Sequence, residues 1–79
     1  MTIQSEMNNP EMLAGIREHI GNICEQTSEK EAWRAYEFQH GWISALSSVG
    51  LIDQNMFEQL RNEAWLGLEE ALDVIGEKG

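Results

Sequence analysis

The strongest constraint on the fold is a short break, Gly50 to Asp53, between two stretches with helical periodicity. Gly50 suits the left-handed residue that follows a helix, and Leu51 can then fold back onto that helix as in a Schellman ending. Asp53 is a favourable N-cap for the next helix, and Ile52 and Phe57 are spaced as a hydrophobic staple. A connection this short predicts an antiparallel helical hairpin.

A further helix is predicted ahead of this hairpin. Asn9 can cap it, and Pro10 suits the first helical position, where its missing N–H costs nothing. Apolar residues then recur at three- and four-residue spacing, which predicts a helix over about 10–26. Residues 1–8 are polar and are expected to form a flexible N-terminus, so that 9–79 make up a single helical domain.

The two hairpin helices have their own boundary signals. Ser28 and Glu31 match a capping box, which predicts a second helix over about 29–49. The third helix is predicted over about 54–75, with Gly76 as a natural stop.

The second helix carries the widest apolar arc, about half of its circumference, where a helix lying on a core needs a narrower stripe. It is therefore expected to be the central element, covered from two sides. The fold class predicted is all-α: a small three-helix bundle, or a long helical hairpin with an additional N-terminal helix, completed by dimerisation.

Composition limits the classes of function. The chain has 79 residues, with 5 Lys and Arg against 14 Asp and Glu, a formal charge of −9. Phosphate backbones and anionic membranes are bound by basic residues, so neither nucleic acid nor membrane is an expected partner. Cys24 is the only cysteine, which excludes an intrachain disulfide and fits a reducing compartment. With no apolar run of membrane-spanning length and no secretory signal pattern, the expected location is cytoplasmic.

The outward face of the third helix holds the candidate partner-binding residues. Carboxylates follow it along one side, and Leu66 lies among them where a solvated face favours a polar residue. Two tryptophans lie off the main apolar arcs, and exposed apolar residues in such a small chain suggest a partner. The alternative is an acidic face that serves only solubility. The predicted binding residues are Trp33, Glu58, Trp65, Leu66, Glu69, Glu70, Asp73 and Glu77.

Enzymatic and metal sites find little support in the sequence. Glu37 and His40 have the Glu-x-x-His spacing of di-iron bundles, but such sites need a second pair and further glutamates. His40 and Ser44 lack the elbow of a nucleophilic serine. His19 and Cys24 are five residues apart, an unsuitable spacing for shared ligation on a helix. No catalytic, cofactor-binding or metal residue is predicted, and a small metal-dependent enzyme using Glu37 and His40 is the disfavoured alternative.

The stretch YEFQHGWISALSSVGLIDQNMFEQLRNEAW, residues 36–65, resembles the helix–Gly-Leu-Ile–helix pattern of small accessory proteins of phages, prophages and plasmids. The resemblance implies a mobile-element setting and carries over no functional residue. The function predicted is non-enzymatic: an acidic helical protein, an accessory or inhibitory protein of a phage or mobile element, that binds another protein with a basic surface. A second version is a nucleic-acid mimic that blocks a host defence complex, as anti-CRISPR and anti-restriction proteins do.

Overall fold

The computed structural model describes residues 7–78, and the side chains of residues 7–77. Three helices follow in order: α1 at Pro10–Ile23, α2 at Glu29–Ser48 and α3 at Gln54–Lys78. Residues 7–78 contain no strand, which confirms the predicted all-α, three-helix architecture. Most of the expected flexible N-terminus, residues 1–6, lies outside the described part of the chain, as does Gly79.

Two helix ends differ from the sequence prediction. α1 ends at Ile23, and the next residues form a turn in which the backbone N–H of Cys24 donates to the carbonyl of Gly21 at 3.2 Å. α3 continues through Gly76 to Lys78, so the predicted stop at Gly76 is wrong. A glycine ends a helix when it takes the left-handed conformation, and Gly50 is the one glycine of the described range with a positive φ.

The predicted N-caps of α1 and α2 are formed. The side chain of Asn9 accepts a hydrogen bond from the backbone N–H of Met12 at 3.0 Å. Ser28 Oγ accepts one from the backbone N–H of Glu31 at 3.2 Å. The carboxylate of Glu31 faces Arg34 at 3.7 Å rather than reaching back to Ser28, so only one half of the capping box is present.

The turn between α2 and α3 has the predicted Schellman geometry. Gly50 has φ +82°. The backbone N–H of Leu51 donates to the carbonyl of Leu46 at 2.9 Å, and that of Gly50 to the carbonyl of Ser47 at 3.1 Å. These bonds satisfy carbonyls at the end of α2 that have no partner within the helix.

Asp53 caps α3 and also ties the start of the chain to this turn. Its carboxylate accepts from the backbone N–H of Met56 at 2.8 Å and from the side-chain amide of Asn8 at 3.0 Å, and both bonds lower the pKa of Asp53. In return, the N–H of Asp53 donates to the side-chain oxygen of Asn8 at 3.3 Å, and the N–H of Asn8 donates to the carbonyl of Leu51 at 2.9 Å. The start of α1 is therefore held at the hairpin turn, so α1 runs parallel to α3 and antiparallel to α2.

A second set of contacts joins α1 and α3 further along their length. Arg17 forms a bidentate pair with Glu63, in which two guanidinium nitrogens lie 3.0 Å from the two carboxylate oxygens. Gly67 is buried where the helices come close, and a Cβ there would lie 3.5 Å from Cys24 Sγ and 3.6 Å from the carbonyl oxygen of Ile20.

The core lies along the axis where the three helices meet, and α2 with α3 makes the most extensive interface. α2 contacts both other helices, but its apolar arc is only partly covered. Phe38 is 66% exposed and Val49 is 70% exposed. α3 contributes more buried residues than α2. The prediction that the second helix is the central, most covered element is therefore wrong. The core residues are Leu13, Ile16, Ile20, Ile23, Ala32, Ile43, Ile52, Leu60, Ala64, Leu68 and Ala71.

Candidate functional site

Aromatic rings from α2 and α3 meet on the surface of the hairpin. Trp33 and Trp65 have ring centroids 6.3 Å apart, and Tyr36 lies 6.0 Å from Trp33 and 5.7 Å from Trp65. His40 extends the group, 6.0 Å from Tyr36. The Trp–Trp, Trp33–Tyr36 and Tyr36–Trp65 pairs are edge-to-face, the arrangement that the quadrupoles of aromatic rings favour. These four residues are called the aromatic cluster below.

The aromatic cluster stabilises the hairpin and also faces solvent. Trp33 is 38% exposed and Trp65 is 41% exposed, whereas Tyr36 and His40 are half-buried. Leu66, the residue after Trp65, is 55% exposed. Trp33 and Trp65, which lie outside the apolar arcs predicted from the sequence, therefore form one surface patch. Tyr36 packs against both rings.

Carboxylates surround the exposed tryptophans. Along α3, Glu58 lies two turns before Trp65 and Glu69 one turn after it, which places them about 16 Å apart at a helical rise of 1.5 Å per residue. On α2, Glu29 and Glu37 lie one turn to either side of Trp33. All four glutamates are exposed. Exposed cations also lie near the tryptophans: Arg61 is one turn before Trp65, with its guanidinium 5.6 Å from the ring centroid of Phe57, and Lys30 and Arg34 lie near Trp33 on α2.

The rest of the predicted acidic face divides into two parts. Asp73 and Glu77 continue the row of exposed carboxylates beyond Glu69. Within residues 7–77, no side chain forms an ion pair with Glu69, Asp73 or Glu77. Glu70 turns toward α1 instead. Burial and the nearby Glu70 carboxylate together raise the pKa of the Cys24 thiol. Glu70 is therefore set apart from the carboxylates around the tryptophans.

The residues weighed for metal or acid–base chemistry do not converge. His40 belongs to the aromatic cluster, whereas Glu37 and His19 line a groove between α1 and α2. Among the described residues, no group of three or more His, Cys, Asp or Glu side chains is arranged to hold a metal ion. The Cys24 thiol donates to the carbonyl of Gly67 at 3.6 Å, a packing contact between α1 and α3.

The groove between α1 and α2 is a feature that the sequence reasoning missed. It has a volume of about 500 Å³, is open to solvent, and is lined mainly by apolar atoms. His19 and Trp42 form one wall, with ring centroids 5.3 Å apart in an edge-to-face arrangement. Phe38, Gly41 and Glu37 complete the lining. The signal in the sequence is the i, i+4 pair Phe38 and Trp42, which lies within the wide apolar arc of the second helix and is not distinguished from the core by its spacing.

Comparison of the chain with protein-family models, with curated proteins and with solved structures gave no match. No helix within residues 7–78 combines the length and the apolar character needed to cross a membrane.

Proposed function

We propose that this chain is a non-enzymatic binding protein whose partner is another protein with a basic surface. The contact surface proposed consists of Trp33, Trp65 and Leu66 with the carboxylates Glu58 and Glu69, continued by Asp73 and Glu77. The observation that carries the proposal is the meeting of Trp33 and Trp65 at 6.3 Å from different helices while both remain about two-fifths exposed.

The patch has the composition of a binding hot spot. Tryptophan and tyrosine dominate the energetics of protein interfaces, because each buries a large rigid surface at a small cost in conformational entropy. Trp33 and Trp65 are already held by their contacts with Tyr36, so less entropy is lost when a partner covers them. The surrounding carboxylates favour a partner that presents Lys or Arg, and they contribute mainly to the association rate and the orientation of binding.

A pair of charge-reversal variants tests this proposal. Glu69→Lys with Asp73→Lys changes the exposed carboxylates next to Trp65, and Glu11→Lys with Glu18→Lys makes the same change on exposed positions of α1. Each double variant carries a net charge of −5, since two Glu or Asp to Lys changes add four to −9. The immobilised parent chain and the immobilised α1 variant should each capture the partner from a lysate of the producing cells. The immobilised α3 variant should not.

The apolar part of the patch is tested separately. Leu66→Ser removes an exposed side chain and should leave helix content unchanged while capture falls. Binding to a basic partner should weaken as salt increases, because exposed charges are screened beyond about 10 Å at 0.1 M. Equal capture by the α3 variant, the α1 variant and Leu66→Ser would show that this face is only solvated surface.

The partner's ligand decides between the two versions of the hypothesis. A nucleic-acid mimic occupies the groove that its target uses for nucleic acid, so duplex DNA should compete with this chain for the captured protein. A partner that uses its basic surface for other purposes shows no such competition. The phage or mobile-element setting rests on the resemblance of residues 36–65.

A further inference from the structure

A second apolar surface lies on the opposite flank of α2 from the aromatic cluster. It is formed by Phe38, Gly41, Trp42, Ala45 and Val49, called the outer α2 stripe below. Phe38 is 66% exposed and Val49 70% exposed, while Gly41 and Ala45 leave the backbone of α2 open to close approach. A Cβ at Gly41 would have no neighbouring atom of the described residues within 4 Å. The groove beside Trp42 runs along this stripe.

The outer α2 stripe falls in a part of the sequence without formal charge. Residues 38–52 contain no Asp, Glu, Lys or Arg, although 24% of the chain is of these types. Two copies of a chain with a net charge of −9 repel each other, so a contact with few carboxylates is favoured over one through the acidic faces. Glu37 lies at the edge of the groove and marks the end of the uncharged stretch.

We propose that the outer α2 stripe is a homodimer interface, in which α2 packs against α2 of a second copy about a two-fold axis. A two-fold interface requires a surface that can pair with itself. Phe38 projects from it, and the groove floored by Gly41 and walled by Trp42 lies beside Phe38. In this arrangement, Phe38 of each copy covers the groove of the other.

The size of the stripe sets the strength of association. An exposed fraction of 66% leaves about 130 Å² of the Phe38 side chain for a partner to cover, since an aromatic side chain buries about 150–250 Å². The whole stripe is smaller than the roughly 800 Å² that each partner contributes to a standard interface. We therefore expect a dissociation constant on the order of 10–100 µM, in the range of weak interfaces.

Sedimentation velocity of the full chain over a concentration series tests the interface. The parent chain should shift from monomer to dimer mass, and the shift should become stronger with salt because screening reduces the repulsion between the copies. Phe38→Ser should weaken dimerisation at least about tenfold, the effect expected when a central aromatic contact is lost. Gly41→Gln fills the groove with a good helix-forming residue, so dimerisation should be lost while the thermal midpoint at low concentration does not fall.

Leu66→Ser is the matched control, because it removes an exposed apolar side chain from α3 rather than from the stripe. It should keep the dimer mass and lower partner capture, whereas Phe38→Ser should weaken dimerisation and keep the binding of the basic partner. This inference is therefore independent of the function proposed above.

Two results would overturn the proposal. One is a monomer mass for the full chain at concentrations up to about 500 µM, well above the expected dissociation constant. Another is a dimer that Phe38→Ser and Gly41→Gln leave unchanged. If the full chain is monomeric but dimerises once residues 1–6 are deleted, the stripe is assigned to the chain's own N-terminal segment.

Discussion

Replacement of Gly50 by valine tests the turn that organises the hairpin. Gly50 has φ +82°, and a Cβ at this position would meet no atom of the described residues within 4 Å. The cost of a side chain is therefore conformational rather than steric, about 1–2 kcal/mol for an L residue in the left-handed region and more for a β-branched one. In a domain of this size, about 1 kcal/mol lowers the melting temperature by roughly 4–8 °C. We therefore expect the melting temperature of Gly50→Val to lie about 4–16 °C or more below that of the parent chain.

Thermal and urea unfolding, followed by tryptophan fluorescence and circular dichroism, measure this effect at low protein concentration. Gly50→Asn should cost less than Gly50→Val, because asparagine tolerates the left-handed region. Gly21 provides a control of opposite sign, since it lies within α1 with a negative φ and open space at its Cβ position. Gly21→Ala should stabilise the chain by about 1 kcal/mol. An unchanged midpoint in Gly50→Val would refute the assigned role of this turn.

Three further tests probe other contacts. Gln39 is 4% exposed, and its buried side-chain oxygen has no hydrogen-bond partner among the described residues. Gln39→Leu should therefore raise the free energy of unfolding by about 1–3 kcal/mol, and a decrease would contradict that environment. The lowered pKa of Asp53 means that its carboxylate contributes stability above its unfolded pKa and loses it as pH falls through the folded pKa. Acid titration of unfolding should therefore destabilise the parent chain more than Asp53→Asn, which retains a capping oxygen, and equal losses would contradict this role. The side chains of Arg17 and Glu63 are 40% and 34% exposed. A double-mutant cycle on the pair should therefore give a coupling free energy of only about 0.2–1 kcal/mol. A much larger coupling free energy would contradict the assignment of a surface ion pair.

The helix-capping chemistry was readable from the sequence because it is local. Asn9, Ser28 and Asp53 each cap a helix through a backbone N–H three residues later. Gly50 ends α2 with bonds that reach back at most five residues. A cap needs only its own side chain and the next few backbone groups, so residue type and spacing predict it.

Other boundaries depended on packing that the sequence does not display. Gly76 was expected to end α3, but it remains helical in the structure. Asn8 was assigned to the flexible N-terminus, yet it exchanges hydrogen bonds with Asp53. The residues of that contact are far apart in sequence, and their pairing follows from how α1 docks against the hairpin.

The sequence by itself determined three helices, the antiparallel hairpin, and an acidic surface with two tryptophans outside the core arcs. The tertiary structure decided which side chains meet and which remain exposed. Trp33 and Trp65 come together because the rotation of α2 against α3 turns both toward one edge of the hairpin. Phe38 stays exposed because α1 covers only part of the apolar arc of α2. Helical periodicity gives the direction of each side chain about its own axis, whereas the surfaces available for binding depend on the mutual rotation of packed helices.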